Sequence, residues 1–437
     1  MRNSRVSVRL GDVTEILTGF PFKSSDYSDD PSDPKLLRGD NIAQGRVRWE
    51  GVKRWPQART AEVANYWLKE GDIILAMDRP WIEAGLKYCA IQIDDLPCLL
   101  VQRVARLRGA NGLDNGFLRY LIGSQSFTDH VLAVQTGTAV PHISSKQIQN
   151  FRFELPPLPE QRAIAATLGA LDDKIELNRK MNATLEAMAR ALFRDWFVDF
   201  GPTRAKAEGR APYLSPDLWP LFPARLDAEG KPEGWEVSTI GDEVRVVGGS
   251  TPSTKEPGFW DGGINWATPK DLSTLAAPVL LETARTITAA GLAKISSGLL
   301  PVGSLLLSSR APIGYLAIAE VPVAINQGFI GMICDKRVSN VFAWLWTLEK
   351  MEAILAKANG STFQEISKGN FRPLPVVVPS ENVLRTFDAI AKPLYERIAK
   401  NERESRTLAQ TRDLLLPRLM SGEIRVSDAE RLVEEAG

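Results

Sequence analysis

Few residues in this chain have the types and spacing that covalent chemistry needs. The histidines are His130 and His142, and the cysteines are Cys89, Cys98 and Cys334, all scattered, so no transition-metal cluster is indicated. The stretch "GGSTPSTKEPG" from Gly248 has the glycines, threonines and lysine of a phosphate loop but lacks its Gly-Lys-Ser/Thr end. No G-x-G-x-x-G follows a strand pattern, and no G-x-S-x-G elbow occurs. "DDPSDP" from Asp29 lacks the Asn/Asp-Pro-Pro-aromatic signature of adenine methylation, and "LPPLPEQ" opens on Leu155, which cannot accept a hydrogen bond from a target amine. The acidic pairs Asp94-Asp95 and Asp172-Asp173 are of the type that does acid–base work, but the second falls within a long helical pattern and reads as a solvated face. Catalysis by this chain is therefore not expected. What remains is the chemistry of binding.

Lys and Arg number 53 and so do Asp and Glu, giving a formal net charge of zero. Such a balance disfavours a bulk polyanion binder and leaves nucleic-acid affinity to local patches. One patch runs from Lys35 to Arg59, "KLLRGDNIAQGRVRWEGVKRWPQAR", with seven Lys/Arg against two acids and with Trp49 and Trp55 interleaved. The hydrophobic fraction of 44% and charged fraction of 24% are those of a globular protein, and 437 residues exceed one ordinary core. No window approaches a membrane span, and "MRNSRVSVRLGD" has no apolar signal core, so a reduced, cytoplasmic protein is expected.

The elements that would position a binding surface occur twice. "ELPPLPEQRAIAATLGALDDKIELNRK" from Glu154 overlays "VVPSENVLRTFDAIAKPLYERIAKNERE" from Val377 at an offset of about 223 residues, with Pro156 over Pro379, Arg162 over Arg385 and Leu171 over Leu394. "RLGDVTEILTGFP" near the start matches "TIGDEVRVVGGSTP" from Thr239. "LKEGDIILAMDRP" from Leu68 matches "LPVGSLLLSSRAP" from Leu300, with Gly71 over Gly303 and Pro80 over Pro312. "QTGTAVPHIS" from Gln135 matches "ANGSTFQEIS" from Ala358. A period this long means a duplicated domain rather than a solenoid.

Within each copy, "DIILAM", "SLLLSS" and "VPVAI" predict strands, and "NGFLRYLIGSQSFTDHVLAV" and "NVFAWLWTLEKMEAILAKA" predict helices. Each copy is thus a mixed α/β domain, followed by a long helix. In the first helix Ile164, Leu168, Leu171, Ile175, Asn178, Asn182, Leu185, Ala189, Leu192 and Trp196 alternate by fours and threes. The second repeats this with Phe387, Ala391, Leu394, Ile398, Asn401, Ser405, Leu408, Arg412 and Leu415. A seam of about four heptads in each predicts an antiparallel coiled coil. A helix of about 40 residues is roughly 60 Å long, wider than such a domain. Asn178 and Asn401 take equivalent seam positions, where a polar residue fixes register.

The expected fold class is α/β (α+β). The expected organisation is a first domain at 1–157, a long helix at 158–200, a linker at 201–235, a second domain at 236–379, a distal helix at 380–420 and a polar tail at 421–437. Ile424-Arg425-Val426 in that tail is read as a possible edge strand.

The segment from Leu155, "LPPLPEQRAIAATLGALDDKIELNRKMNATLEAMARALFRDWFVDFGP", resembles the central shared region of type I restriction–modification specificity subunits. "LAQTRDLLLPRLMSGEIRV" from Leu408 resembles the end of their distal shared region, and "GDVTEILTGFPFKSSDY" and "WEVSTIGDEV" are similar to the openings of their target-recognition domains. The second helix lacks the Glu-Gln pair of the first, so the resemblance implies that the two do not dock their partners identically. It further implies a non-catalytic, DNA-binding subunit whose recognition domains each read one half of a bipartite, asymmetric site. The helices would set the spacer and recruit two adenine methyltransferase subunits and two motor–nuclease subunits. No cofactor would be bound by this chain; S-adenosylmethionine, ATP and magnesium would serve the partners. Two readers about 60 Å apart suit half-sites one to two duplex turns apart, a turn being roughly 34–36 Å.

Base edges and phosphates are contacted chiefly by Arg, Lys, Asn, Gln, Ser and Thr on loops. In the first domain these considerations single out Lys23, Ser24, Arg38, Asn41, Arg79, Thr138 and His142. In the second they single out Thr251, Ser253, Lys255, Lys270, Arg310, Thr362 and Gln364. Arg79 and Arg310 lead, because both lie just before the aligned prolines. The competing classes are a specificity chain serving a type IIG-like methyltransferase–nuclease, a coiled-coil scaffold without a DNA role, and, weakest, a small-molecule enzyme.

Overall fold

The computed structural model describes residues 5–137, 139–360, 364–429 and 431. The chain forms two compact units: Met1–Lys174 with Thr407–Gly437, and Ile175–Arg406. Each unit therefore contains a segment of both long helices, Leu158–Phe197 and Glu381–Ser421.

In the first unit a five-stranded sheet runs in the order Thr14–Thr18, Val104–Gly109, Ile73–Ala76, Tyr88–Ala90, Gln44–Gly45. A three-stranded sheet has Lys35–Leu37 between Cys98–Leu100, parallel to it, and Lys53–Arg54, antiparallel. Val6–Arg9 pairs antiparallel with Arg152–Leu155. Ile73–Ala76 is buried along its whole length, as an uninterrupted apolar run in a central strand requires. Helices Asn115–Ile122 and Gln125–Val134 are capped by Asp114 and Ser124, whose side chains accept from Phe117 N and Phe127 N. They share a core with Leu75, Leu107, Leu168, Leu171, Leu415 and Leu419.

The second unit repeats this plan. Its five strands are ordered Arg245–Gly248, Phe329–Ile333, Leu305–Ser309, Ile313–Ala319, Val279–Leu280. Its three are ordered Thr286–Ile287, Trp260–Ala267, Val323–Ile325, again with one parallel and one antiparallel neighbour to the middle strand. Glu236–Thr239 pairs with Pro375–Val378. Two glycine positions explain why the copies keep the same skeleton. A Cβ at Gly19 would overlap the backbone carbonyl of Val101, and one at Gly249 would overlap that of Ile325. Gly71 and Gly303 both have left-handed backbones, with φ of 80° and 87°.

The long helices run antiparallel. In the second unit Asn178 Nδ2 lies 2.9 Å from a Glu404 carboxylate oxygen and 3.2 Å from Ser405 Oγ, while Asn401 Nδ2 donates to Asn182 Oδ1 at 2.9 Å. Ala391, Ile398, Phe387, Ala189 and Trp196 are buried, and Leu185, Leu192 and Leu394 are partly so. In the first unit Ile164, Leu168, Leu171 and Leu415 are buried and Leu408 half-buried. The outer parts of the predicted seam thus serve domain cores, and its polar middle serves the helix pair.

Several sequence expectations differ from the structure. Asp172 is no solvated residue: its carboxylate accepts from Tyr120 Oη at 2.8 Å and pairs with Arg119 at 2.8 Å and Arg412 at 2.7 Å. Gln161 is buried, with Oε1 accepting from Asp114 N and Nε2 donating to Gly112 O and Pro156 O. Glu160 pairs with Arg5 at 2.6 Å, so the Glu-Gln pair has contacts within its own unit. Residues 201–235 contain the helix Gly201–Ala207 and bury Phe222 and Trp235 against Trp196 and Phe197. Those aromatics have no period, and so a packed segment looked like a linker. Ile424-Arg425-Val426 forms no strand; it leads into a helical turn over 426–429, with Ala429 buried in the first unit's core.

Candidate nucleic-acid interface

In the first unit the end of the central strand is zipped to a second segment. Ile143 N donates to Met77 O at 2.9 Å and Arg79 N to Pro141 O at 2.7 Å. His142 in turn exchanges backbone hydrogen bonds with Thr136. This zipper holds Arg79 in a left-handed backbone, φ 44°, a region that non-glycine residues enter at a cost of about 1–3 kcal/mol. Arg79 opens onto a cleft of about 720 Å³ that is also lined by Arg38, Arg48, Lys87 and Arg103. Two acids, Asp40 and Asp78, two amides, Gln44 and Gln102, and Tyr27 also line it.

The acids are engaged. Asp78 Oδ1 lies 2.6 Å from His142 Nδ1, its other oxygen lies 3.8 Å from Arg103, and Asp40 pairs with Arg38 at 3.1 Å. Lys87 Nζ donates to Gly39 O at 2.5 Å, and burial holds its pKa below the ordinary lysine value, with Asp40 opposing the shift. The guanidinium groups of Arg48 and Arg79 have no hydrogen bond or ion pair among the described residues. They are the donors left for an outside acceptor, and a planar guanidinium suits a phosphate or the paired acceptors of a guanine edge.

The sequence candidates divide accordingly. Arg38 and Arg79 line the cleft, and His142 sits behind Asp78. Lys23 and Ser24 are exposed at the short turn Ser24–Asp26, outside the cleft lining. Asn41 is buried; its Oδ1 accepts from Arg38 N and its Nδ2 donates to Arg48 O, so it shapes the loop that presents both arginines. Thr138 lies outside the described residues. Arg48 was within reach of sequence reasoning, inside the basic run, whereas Lys87 and Arg103 carry no motif and join the site only through folding. The tryptophans of that run are structural. Trp55 is buried beneath Arg59, and Trp49 donates to Asp95 at 2.8 Å.

The same zipper recurs in the second unit with other side chains. Ile366 N donates to Ser309 O at 3.0 Å, and Glu365 exchanges backbone hydrogen bonds with Asn359 as His142 does with Thr136. Arg310 faces Glu365 at 3.7 Å where Asp78 faces His142. Arg310 is thus the counterpart of Asp78, and the counterpart of Arg79 is Ala311, also left-handed at φ 55°. Gln364 is exposed beside this pair, and Thr362 lies outside the described residues. Thr251, Ser253 and Lys255 are exposed on the loop after Gly249; Thr251 Oγ1 donates to Gln327 Oε1 at 2.5 Å, and Ser253 Oγ accepts from Lys255 N at 3.3 Å. Lys270 is exposed at the start of the short helix Pro269–Ser273. Sequence reasoning missed Arg285, which stacks 3.6 Å from the Trp260 ring centroid.

The thiols are poor nucleophiles. Burial pushes Cys98 and Cys334 up to about 12 and Cys89 further still.

The family model described as "Type I restriction modification DNA specificity domain" matches residues 4–187 and 232–400, one match on each copy. The chain is 25% identical over 466 residues to the type I restriction enzyme HindI specificity subunit of Haemophilus influenzae, covering 95% of this chain and 98% of that protein. It is 25% identical over 440 residues to the MjaIX specificity subunit of Methanocaldococcus jannaschii, covering 93% and 97%. Over 174 residues it is 38% identical to the EcoAI specificity subunit of Escherichia coli, 40% of this chain and 28% of that one. The fold is that of the type I restriction–modification S subunit from M. genitalium, with a TM-score of 0.54, 15% identity and 96% of each chain covered.

Proposed function

The chain belongs to the type I restriction–modification DNA specificity family, and from that premise we propose how its two units act. The protein is a specificity subunit and performs no catalytic step itself. Each unit reads one half of a bipartite, asymmetric DNA site, and the helix pair sets the unspecified spacer. The observation that carries this reading is a skeleton built twice with different groups at the same loop: Asp78 and His142 in one unit, Arg310 and Glu365 in the other. Identical readers would suit a symmetric site; divergent ones suit two different halves.

In the first unit, Arg48 and Arg79 supply free donors, and Asp78 with His142 fixes the strand end that carries Arg79. Phosphate contacts from such cations set affinity and register, while base-edge contacts set sequence. The partners are double-stranded DNA, two adenine methyltransferase subunits using S-adenosylmethionine, and two motor–nuclease subunits using ATP and magnesium. The test is to co-express the chain with candidate methyltransferase subunits and map methylated adenines in host DNA. Methylation at one bipartite motif, with one half changed when residues of one unit are exchanged, is the expected result. A stable complex that methylates no motif would overturn the reading.

A further inference from the structure

We propose that the hairpin Trp81–Leu86 of the first unit is an apolar wedge that enters the DNA at that unit's half-site and unstacks a base step there. The inference rests on the reading of this unit as a DNA reader. Strands Trp81–Ile82 and Gly85–Leu86 pair antiparallel, with Trp81 opposite Leu86 and Ile82 opposite Gly85. Gly85, at φ 114°, closes the two-residue turn Glu83-Ala84 in a backbone that other residues resist. Leu86 is buried and anchors the hairpin, while Trp81 and Ile82 are each 40% exposed. Val140, 44% exposed, lines the same cleft as Ile82.

Adjacent on a strand, Trp81 and Ile82 show opposite faces of the hairpin, so it is apolar on both sides, and Ile82 shares the cleft lining with the exposed Val140; such apolar surface asks for a partner. The chemistry of the surrounding cleft points to DNA rather than to another protein. Five cations, Arg38, Arg48, Arg79, Lys87 and Arg103, face it against two acids that are already paired. A two-stranded ribbon is an element that the major groove admits, and apolar side chains inserted at a base step kink the duplex. The second unit serves as an internal control. Ten residues lead from Pro80 to Ala90, whereas six lead from Pro312 to Ile318, the residue paired with the same point of the central strand; the longer connection of the first unit is what makes room for the hairpin. Only the first half-site is therefore wedged by this chain, and its sequence preference includes a deformable pyrimidine–purine step.

The test uses the full chain assembled with its methyltransferase partners, on duplexes carrying the mapped motif. 2-Aminopurine replaces one base at a time, at positions other than the methylated adenines. On binding, apart from the steps that flank a methylated adenine, which its methyltransferase unstacks by flipping that base, fluorescence should rise at one step of the first half and at none of the second. The paired change Trp81→Ala and Ile82→Ser should abolish that rise while leaving assembly and salt-dependent non-specific binding intact, and Trp81→Phe should retain it. The proposal is overturned if no first-half step brightens, or if the brightening survives the paired change. It is also overturned if the change dissolves the assembly with methyltransferase, which would mark the hairpin as a protein-docking face. A wild-type assembly with no sequence preference at all would instead bring down the reading of the unit as a DNA reader.

Discussion

The two units share strand order, pairing sense and loop zipper, yet differ where the zipper faces outward. Asp78–His142 in the first becomes Arg310–Glu365 in the second, and the hairpin Trp81–Leu86 has no counterpart among the described residues of the second. What is kept is backbone hydrogen bonding and glycine clearance; what varies is charge and loop length. The lesson is that a half-site reader can be rewritten by side chains on a fixed frame, because the backbone hydrogen bonds of the zipper are the same in both units whatever side chains they carry.

The harshest way to break the comparison is to damage the shared frame. Gly19→Ala and Gly249→Ala each drive a Cβ into a backbone carbonyl, so neither can be relieved by a rotamer change. Each should cost its own unit about 3 kcal/mol or more, seen as early loss of hydrogen-exchange protection in that unit's strands alone. Protection lost equally in both units by one substitution would show that they are not separate frames.

Next come the outward groups. Arg79→Ala should relax the first half-site and Arg310→Ala the second, each by about 1–3 kcal/mol of discrimination at one base position. Binding titrations across single-base variants of the motif would measure this. Unchanged binding across all sequences removes the residue from the site.

The helix pair offers a subtler test. Among the described residues, the side-chain oxygens of Asn178 and Asn401 are buried without partners. Replacing both by Leu should raise the melting temperature while broadening the set of methylated spacer lengths, because the polar pair that fixes register is gone. A more stable protein with an unchanged single spacer would show that register is fixed elsewhere.

The smallest effect concerns Glu402, whose carboxyl is raised above its ordinary value by burial. A raised folded pKa means that the ionised form is the strained one, so its cost is present at high pH and fades as pH falls through the folded value. Glu402→Gln should therefore stabilise the protein more at pH 8 than at pH 5 in thermal melts. A pH-independent shift would locate its effect in packing instead.

The sequence made the frame legible because the frame is local: apolar runs gave the central strands, heptads the long helices, and aligned glycines the duplication. The chemistry of the loops was less so. Arg79 and Arg310 look alike because each stands close before an aligned proline, yet both the proline register and the backbone pairing put Arg310 at the position of Asp78 and Ala311 at that of Arg79. Lys87 and Arg103 reach the cleft from separate strand ends, and Asp172 gathers Arg119, Tyr120 and Arg412 through space. No spacing in one dimension encodes such meetings. Phe222 and Trp235 were hidden differently, as buried anchors in a segment without period.

The most direct test of two separate readers is to map methylated adenines in cells that carry the chain and its partners, with and without Arg79→Ala. The account predicts one bipartite motif for the unaltered chain and, for the variant, the same second half and spacer with a relaxed first half. Simultaneous change in both halves, or methylation without a bipartite motif, would contradict it.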